Sequence, residues 1–347
     1  MLNDNYARGL LEVCGAIEGI EALKGARVLI TGATGLIGSC LADALLLLNE
    51  ARDMAVEVYA AGRSEAGMRM RFGAAMDGPR FHYVPYDAGK PLTPGFEADY
   101  VVHAATSAHP LAYATDPVGI MRANIVGAMN LLEAIRGWGC GRFMLLSTGE
   151  TYGENPAFPE GFSETDTGYI DTMKPRSCYP EGKRAAETLC ASYAAQYGVD
   201  AVVARLCHVY GPTFTASNSR ADAQFLRNAL EGRDIVMKSA GSQVRSWCYV
   251  ADAVGALVTL LIRGEAGQAY NVANRRSVAS IREYARTLAD IAEVKLVFEL
   301  PPEVEKAGYT QISRAVLNPA KLEALGWKPR YSLREGLEES YRACTQR

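Results

Sequence analysis

RVLITGATGLIG, residues 27–38, is the stretch from which the fold can be read. Val28, Leu29 and Ile30 are a short apolar run suited to a strand buried on both faces. Gly32, Gly35 and Gly38 come next at three-residue spacing, with Thr34, Leu36 and Ile37 between them. An apolar run through Leu41 and Leu45 to Leu48 is then long enough for a helix. In such a strand–turn–helix unit, glycine permits the tight turn and lets a pyrophosphate approach the backbone at the helix N-terminus. Glycines alone are equally an ordinary βα turn. The remainder of the chain decides for a dinucleotide site.

Beyond residue 48 the chain alternates. Strands are predicted at 56–61, 80–84, from Tyr100 into HAATSA (103–108), at 142–146 and at 199–206. Helices are predicted at 117–136, opened by Pro117, and at 178–197. This βαβα pattern predicts an α/β protein: a Rossmann-type doubly wound parallel sheet over residues 25–211. Ligands of such sheets bind outside the carboxyl ends of the strands, where Arg63, Asp87, Thr106, Thr148 and Glu150 fall. After Gly211-Pro212 the pattern loosens, with helices expected near 218–232, 250–263, 280–292 and 333–343. Residues 212–347 read mainly as a smaller α/β substrate lobe, with some return to the nucleotide domain. Residues 1–24 precede the first strand as a helical extension, with Leu10, Leu11, Val13, Ile17 and Ile20 spaced for an amphipathic helix broken by Gly15 and Gly19.

Bulk properties narrow the partners. A net charge of −3 over 347 residues gives no electrostatic case for nucleic acid or a membrane surface. Eight cysteines are scattered without a CxxC or Cys/His cluster, so neither a metal site nor a disulfide framework is expected. No uninterrupted apolar run approaches the ~20 residues that span a bilayer. With no signal-peptide pattern at residue 1, a cytoplasmic location is expected.

Tyr179-Pro180-Glu181-Gly182-Lys183 carries the chemistry. Residues four apart share a helix face, so phenol and ammonium can meet one ligand. A nearby ammonium favours phenolate, and the pair is expected to lower the tyrosine toward use as a base near neutral pH.

Taken together, TGATGLIG, Asp87, HAATSA, Asn124 in NIVGAMNLLEA, STGETYG, YPEGK, RLCHVYGP, RSWCYVADAV and YNVAN resemble the extended short-chain dehydrogenase/reductases of the nucleotide-sugar epimerase/dehydratase group. The resemblance covers roughly residues 25–343. PRSCYPEGKRAAET and GSQVR (241–245) are similar to the UDP-glucuronate decarboxylase branch. The resemblance implies that Gly32, Gly35 and Gly38 hold the pyrophosphate and that Asp87 contacts adenine. Ala104 and Ala105 line the cofactor. Tyr179 takes a sugar hydroxyl proton as hydride leaves C4, Lys183 binds the nicotinamide ribose, and Thr148 hydrogen-bonds the reacting hydroxyl. Glu150 is a candidate base near the sugar. Thr106, Asn124, His208, Arg220, Arg245 and Arg314 are candidates for the substrate, with Arg245 placed ahead as a phosphate anchor rather than a catalyst. A homodimer paired through helices 117–136 and 178–197 is also implied, with Met121, Ile125, Met129 and Leu132 as an apolar stripe.

Three features depart from the pattern. Gly149 stands where dehydratases carry an acid and decarboxylases a serine; glycine cannot donate a proton, and it leaves room that could suit rotation of a sugar. Gly62-Arg63 ends the second strand, where an acid commonly holds an NAD ribose and an arginine suits a 2′-phosphate. A redox cycle that returns its hydride suits retained NAD, which is taken as cofactor with NADP the alternative. His208 replaces an asparagine and Lys238 an aromatic near the nucleotide base. His208 is assigned no proton transfer. The reading is C4 oxidation of a nucleotide sugar, nearest to UDP-glucuronate decarboxylation. The alternatives are a 4-epimerase, a 4,6-dehydratase, an NADPH-dependent reductase and a cofactor-sensing scaffold.

Overall fold

The computed structural model describes residues 3–92, 95–106, 108, 110–139, 141–155, 161–299 and 312–345. Residues 1–2 of the N-terminal extension, Ser107 of HAATSA and Cys140 lie outside them. The strands are β1 (Arg27–Thr31), β2 (Glu57–Gly62), β3 (Phe81–Pro85), β4 (Tyr100–His103), β5 (Arg142–Thr148) and β6 (Ala201–Leu206). They continue with β7 (His208–Tyr210), β8 (Ile235–Met237), β9 (Val244–Tyr249), β10 (Ala269–Val272), β11 (Val278–Ser280), β12 (Leu296–Phe298) and β13 (Arg314–Ala315). The main sheet has seven strands in the order β3-β2-β1-β4-β5-β6-β10, and every pairing in it is parallel. Strand order reverses between β1 and β4, which puts the expected ligand crevice at their carboxyl ends.

The strands bury both faces because their side chains alternate. Val28 and Ile30 of β1 and Met144 of β5 enter one core, while Leu29, Phe143 and Leu145 enter the other. Helices α1 (Asp4–Gly15), α2 (Leu36–Arg52), α3 (Glu65–Phe72), α4 (Pro110–Thr115), α5 (Pro117–Arg136) and α6 (Cys178–Tyr197) come first in the chain. After them come α7 (Ala221–Leu230), α8 (Val250–Arg263), α9 (Ile281–Ala292), α10 (Ala320–Ala324) and α11 (Leu333–Thr345). Leu131 and Leu132 of α5 and Ala186 and Cys190 of α6 cover one face, and Leu41 and Leu45 of α2 and Leu257 and Leu260 of α8 the other. Asp116 accepts the Gly119 N–H at 2.9 Å and Pro117 fills the first turn, so α5 starts where the sequence predicts.

The N-terminal extension packs onto this core. Tyr6, Leu10 and Cys14, four residues apart along α1, are buried. Gly15 ends α1, and Gly19, at φ +84°, opens a short 3-10 turn at Ile20–Leu23.

The main sheet feeds a smaller one. β6 runs into β7 across the single residue Cys207, and β10 runs into β11 across residues 273–277. β7 and β11 both pair with β9, which also pairs with β13. The Cys207 N–H donates to the Val272 carbonyl at 3.0 Å, tying the two crossings together.

Two expectations need revision. Helix α5 is, by length and composition, apolar enough to cross a membrane. Polar residues interrupt its apolar run in sequence, but its buried face holds Ile120, Ala128, Leu131, Leu132 and Ile135 in the protein core. The supposed stripe on that helix is also split: Leu132 is buried, while Met121 and Met129 are exposed. The seven described cysteines form no disulfide with one another, and no metal-binding cluster occurs among the described residues.

Candidate active site

Chain geometry brings the glycine turn against the end of β4. Gly32 sits at φ +67°, and a Cβ there would stand 2.7 Å from the Ala104 carbonyl oxygen and 2.9 Å from the Ala105 Cα. The Gly35 N–H donates to the Gly32 carbonyl at 2.9 Å, and Gly35 caps α2. A Cβ on Gly38 would lie 2.5 Å from that same Gly32 oxygen, and one on Gly35 would lie 3.2 Å from it. Gly32 is required for its left-handed backbone and Gly38 for lack of space, while Gly35 is tightly fitted. Thr34, Leu36 and Ile37 are half-buried around the turn, and the first N–H groups of α2 open beside it. Arg63 at the end of β2 and Asp87 after β3 are both exposed at the same sheet edge. Asp87 accepts the Gly89 N–H at 3.0 Å. Thr106, after β4, has a buried hydroxyl without a hydrogen-bond partner.

Across the sheet, Thr148 ends β5 and Tyr179 lies in the first turn of α6, with the Thr148 hydroxyl near enough to act on the acidity of the phenol. The Thr148 Oγ1 also accepts the Glu150 N–H at 3.2 Å. Glu150 is gripped by Arg176 Nη2 at 2.9 and 3.2 Å. The Arg176 guanidinium lies 4.3 Å over the Tyr113 ring, and Tyr113 stacks on Tyr179 at 4.9 Å and 27°. Neither Tyr113 nor Arg176 is a candidate from sequence. Arg176 lies inside the quoted PRSCYPEGK and could have been found there; Tyr113 carries no periodic signal at all.

The phenol is not lowered as expected. Burial pushes Tyr179 up to about 12, and the Glu150 carboxylate adds to the rise. The Thr148 hydroxyl and the charges of Arg220 and Arg176 act against it. Lys183 donates to the Leu146 carbonyl at 2.6 Å. Burial brings its ammonium down to about 8, opposed by Glu187. His103, bonded to Thr31 at 2.9 Å, is held neutral: burial and the charge of Lys183 bring it to about 3.

The space expected at Gly149 is filled. A Cβ at 149 would be 3.1 Å from both terminal methyls of Leu317, a residue only 3% exposed. A leucine from far along the chain fills that space, and no local pattern announces it.

The remaining candidates separate into groups. Asn124 on α5 is buried beside Gly182, donating to the Ile120 carbonyl at 2.9 Å with its own Oδ1 unpartnered. Arg220 pairs with Asp222 at 3.1 Å and lies within electrostatic reach of Tyr179. His208 is held well below the usual imidazole range by burial, with the charges of Arg220 and Arg245 adding to the effect. Arg245 is 2% exposed and donates to the Val244, Ile312 and Ser313 carbonyls. Burial lowers it to about 10, with Glu150 and Glu154 opposing. Arg314 is exposed on β13 and pairs with Val244, beside Arg245 in the sheet; Lys238 is exposed after β8.

The glycine turn, the β4 end and the Thr148–Tyr179 pair are the parts of a cofactor-dependent sugar site. The family model described as "NAD dependent epimerase/dehydratase family" matches residues 28–273. The chain belongs to this family. It is 34% identical to UDP-glucuronic acid decarboxylase 6 of Arabidopsis thaliana, over 91% of this chain and 89% of that relative. Among solved structures, it resembles the UDP-glucose 4-epimerase of Thermus thermophilus in complex with NAD. That match has 27% identity and a TM-score of 0.75, and covers 91% of this chain and 98% of the other. DesIV, a dTDP-glucose 4,6-dehydratase from Streptomyces venezuelae with NAD bound, matches at 25% identity and TM-score 0.78, over 91% and 96% of the two chains. The residues matched by the family model take in both the glycine turn and the Tyr-x-x-x-Lys helix.

Proposed function

We propose that this protein is a nucleotide-sugar enzyme that oxidises C4 of its substrate through Tyr179, with decarboxylation of UDP-glucuronate as its specific activity. The observation that carries the reading is the meeting of Thr148, at the end of β5, with Tyr179, at the start of α6, on the side of the sheet where the glycine turn lies. The 34% identity to a UDP-glucuronic acid decarboxylase over nine-tenths of the chain supports that choice of reaction.

The residues fit a dinucleotide. Gly32, Gly35 and Gly38 leave open backbone where side chains would crowd, so a pyrophosphate can lie against the start of α2. Ala104 and Ala105 form the opposite wall. NAD bound there supplies the hydride acceptor for C4 and later the donor. Thr148 orients the C4 hydroxyl and Tyr179 takes its proton. Tyr179 does this as the phenolate, the form that the charged Lys183 favours, and is left as the neutral phenol. Oxidation leaves a 4-keto hexuronate, a β-keto acid, which loses CO₂ because the electron pair released delocalises into the C4 carbonyl; the enolate so formed takes a proton from water at C5, which restores the carbonyl. Tyr179 then returns a proton as the carbonyl is reduced. NAD is preferred to NADP: Arg63 is exposed, and one exposed arginine is a weak holder of a 2′-phosphate.

A homodimer across α5 and α6 is part of the proposal, since Val118 (67% exposed), Met121 and Met129 leave apolar surface on α5.

Incubating NAD-loaded protein with UDP-glucuronate and weighing the products tests the assignment. Released CO₂ and a UDP-pentose are expected; an isomer of unchanged mass would replace decarboxylation by epimerisation. Tyr179→Phe should cut kcat by about 10²–10⁴-fold while cofactor binding persists. Unchanged turnover in that variant would end the assignment of Tyr179.

A further inference from the structure

Behind Tyr179 and Lys183 lies a second charged cluster with no role in the steps above. Glu187 is one turn beyond Lys183 on the same face of α6. Its carboxylate receives Arg205 Nη2 at 2.7 Å and Arg205 Nε at 3.1 Å to each oxygen, and also accepts the Ser147 hydroxyl. Arg205 is fixed in turn, donating to the Tyr152 hydroxyl at 3.0 Å and the Glu164 carbonyl at 2.8 Å. Tyr152 donates onward to Asn271 Oδ1 at 2.7 Å. Two successive turns of α6 thus meet two successive residues of β5: Lys183 meets Leu146 and Glu187 meets Ser147.

The arrangement addresses a specific problem. A buried ammonium is costly without a counter-charge, yet a carboxylate in direct contact would take up the donors that a ligand needs. Glu187 supplies the negative charge while Arg205 and Ser147 hold its oxygens. Lys183 keeps its direct hydrogen bond to a carbonyl. The other groups facing Lys183 give it no negative charge at neutral pH: Cys190 of α6 has its thiol pushed up to about 12, and His103 of β4 is neutral.

We propose that Glu187 is a positioning residue for Lys183: clamped by Arg205 and Ser147, it keeps the ammonium charged without binding it. This rests on the reading above, in which Lys183 acts as a cation beside Tyr179.

The test is a pH titration of the whole protein labelled with ¹³C at lysine Cε, with the Lys183 signal identified by its loss in Lys183→Met. The wild-type midpoint is expected at about 8. Glu187→Gln removes negative charge, disfavours the ammonium and should lower the midpoint by about one pH unit. Glu187→Asp should restore most of it. Arg205→Lys keeps the cluster's charge but loses the fork, freeing Glu187 to turn toward Lys183, so the midpoint should rise. If Glu187→Gln does not fold, that rise carries the test. A midpoint unchanged in a folded Glu187→Gln or Arg205→Lys protein overturns the proposal. In the active enzyme the alkaline limb of kcat should move with the midpoint. Because the signal needs no substrate, a shifted midpoint in a protein that turns over no nucleotide sugar would refute the Tyr179 chemistry and leave the clamp standing.

Discussion

Gly149→Ser gives the position the residue that decarboxylases of this branch carry there, and the structure says what resists it. The new Cβ would stand 3.1 Å from both Leu317 methyls. Leu317 is packed with Tyr152 and Phe162 and cannot simply swing aside. Overfilling a packed site of this kind costs about 1–3 kcal/mol. Leu317→Ala alone should cost about 2–5 kcal/mol, from lost burial and the cavity left behind. The two changes share one volume, since the serine occupies part of what the alanine vacates. The double variant should therefore fall short of the summed costs by at least ~1 kcal/mol, the coupling expected of residues in contact. Urea unfolding of the four proteins, read at equal m-values, measures it. Additivity within about 0.5 kcal/mol would mean that Leu317 does not fill the space beside Gly149.

Gly38→Ala drives a methyl to 2.5 Å from the Gly32 oxygen and should open the turn, weakening NADH binding at least about tenfold by fluorescence titration; undiminished binding would move the cofactor elsewhere. Arg176→Gln frees Glu150 from both its hydrogen bonds and takes the guanidinium off Tyr113, so kcat should fall about tenfold with little change in KM, measured with the substrate established by product analysis. A rise in KM alone would make Arg176 a binding residue instead.

Much of the scaffold was legible because local chemistry and burial agree there. The helices at Pro117–Arg136, Cys178–Tyr197 and Val250–Arg263 end where the sequence predicts, each bounded by a cap, a glycine or a strand end. The glycine turn was legible for the same reason, since steric need at Gly32 and Gly38 is written into three-residue spacing. The rest escaped because it is set by contacts between distant parts of the chain. Leu317 reaches Gly149 from near the far end of the sequence, and Tyr113 reaches Tyr179 from a short helix with no amphipathic signature. The acidity of Tyr179 was misjudged because i, i+4 spacing shows that Lys183 shares its face but not that burial outweighs its field. Glu187 and Arg205 were passed over because an acid on a helix and a base on a strand are ordinary until their side chains are seen to join.

The paired crossings from β6 to β7 and from β10 to β11 have a mechanical consequence. Two straps that run side by side, cross-bonded from Cys207 to Val272, brace one another. Both lead into strands that pair with β9, so the register of β9, and of Arg245 on it, is fixed from two directions. Trp247 and Tyr249 of β9 are buried in the same apolar core as Val28 and Leu41, which joins the small sheet to the main one as a single packed body.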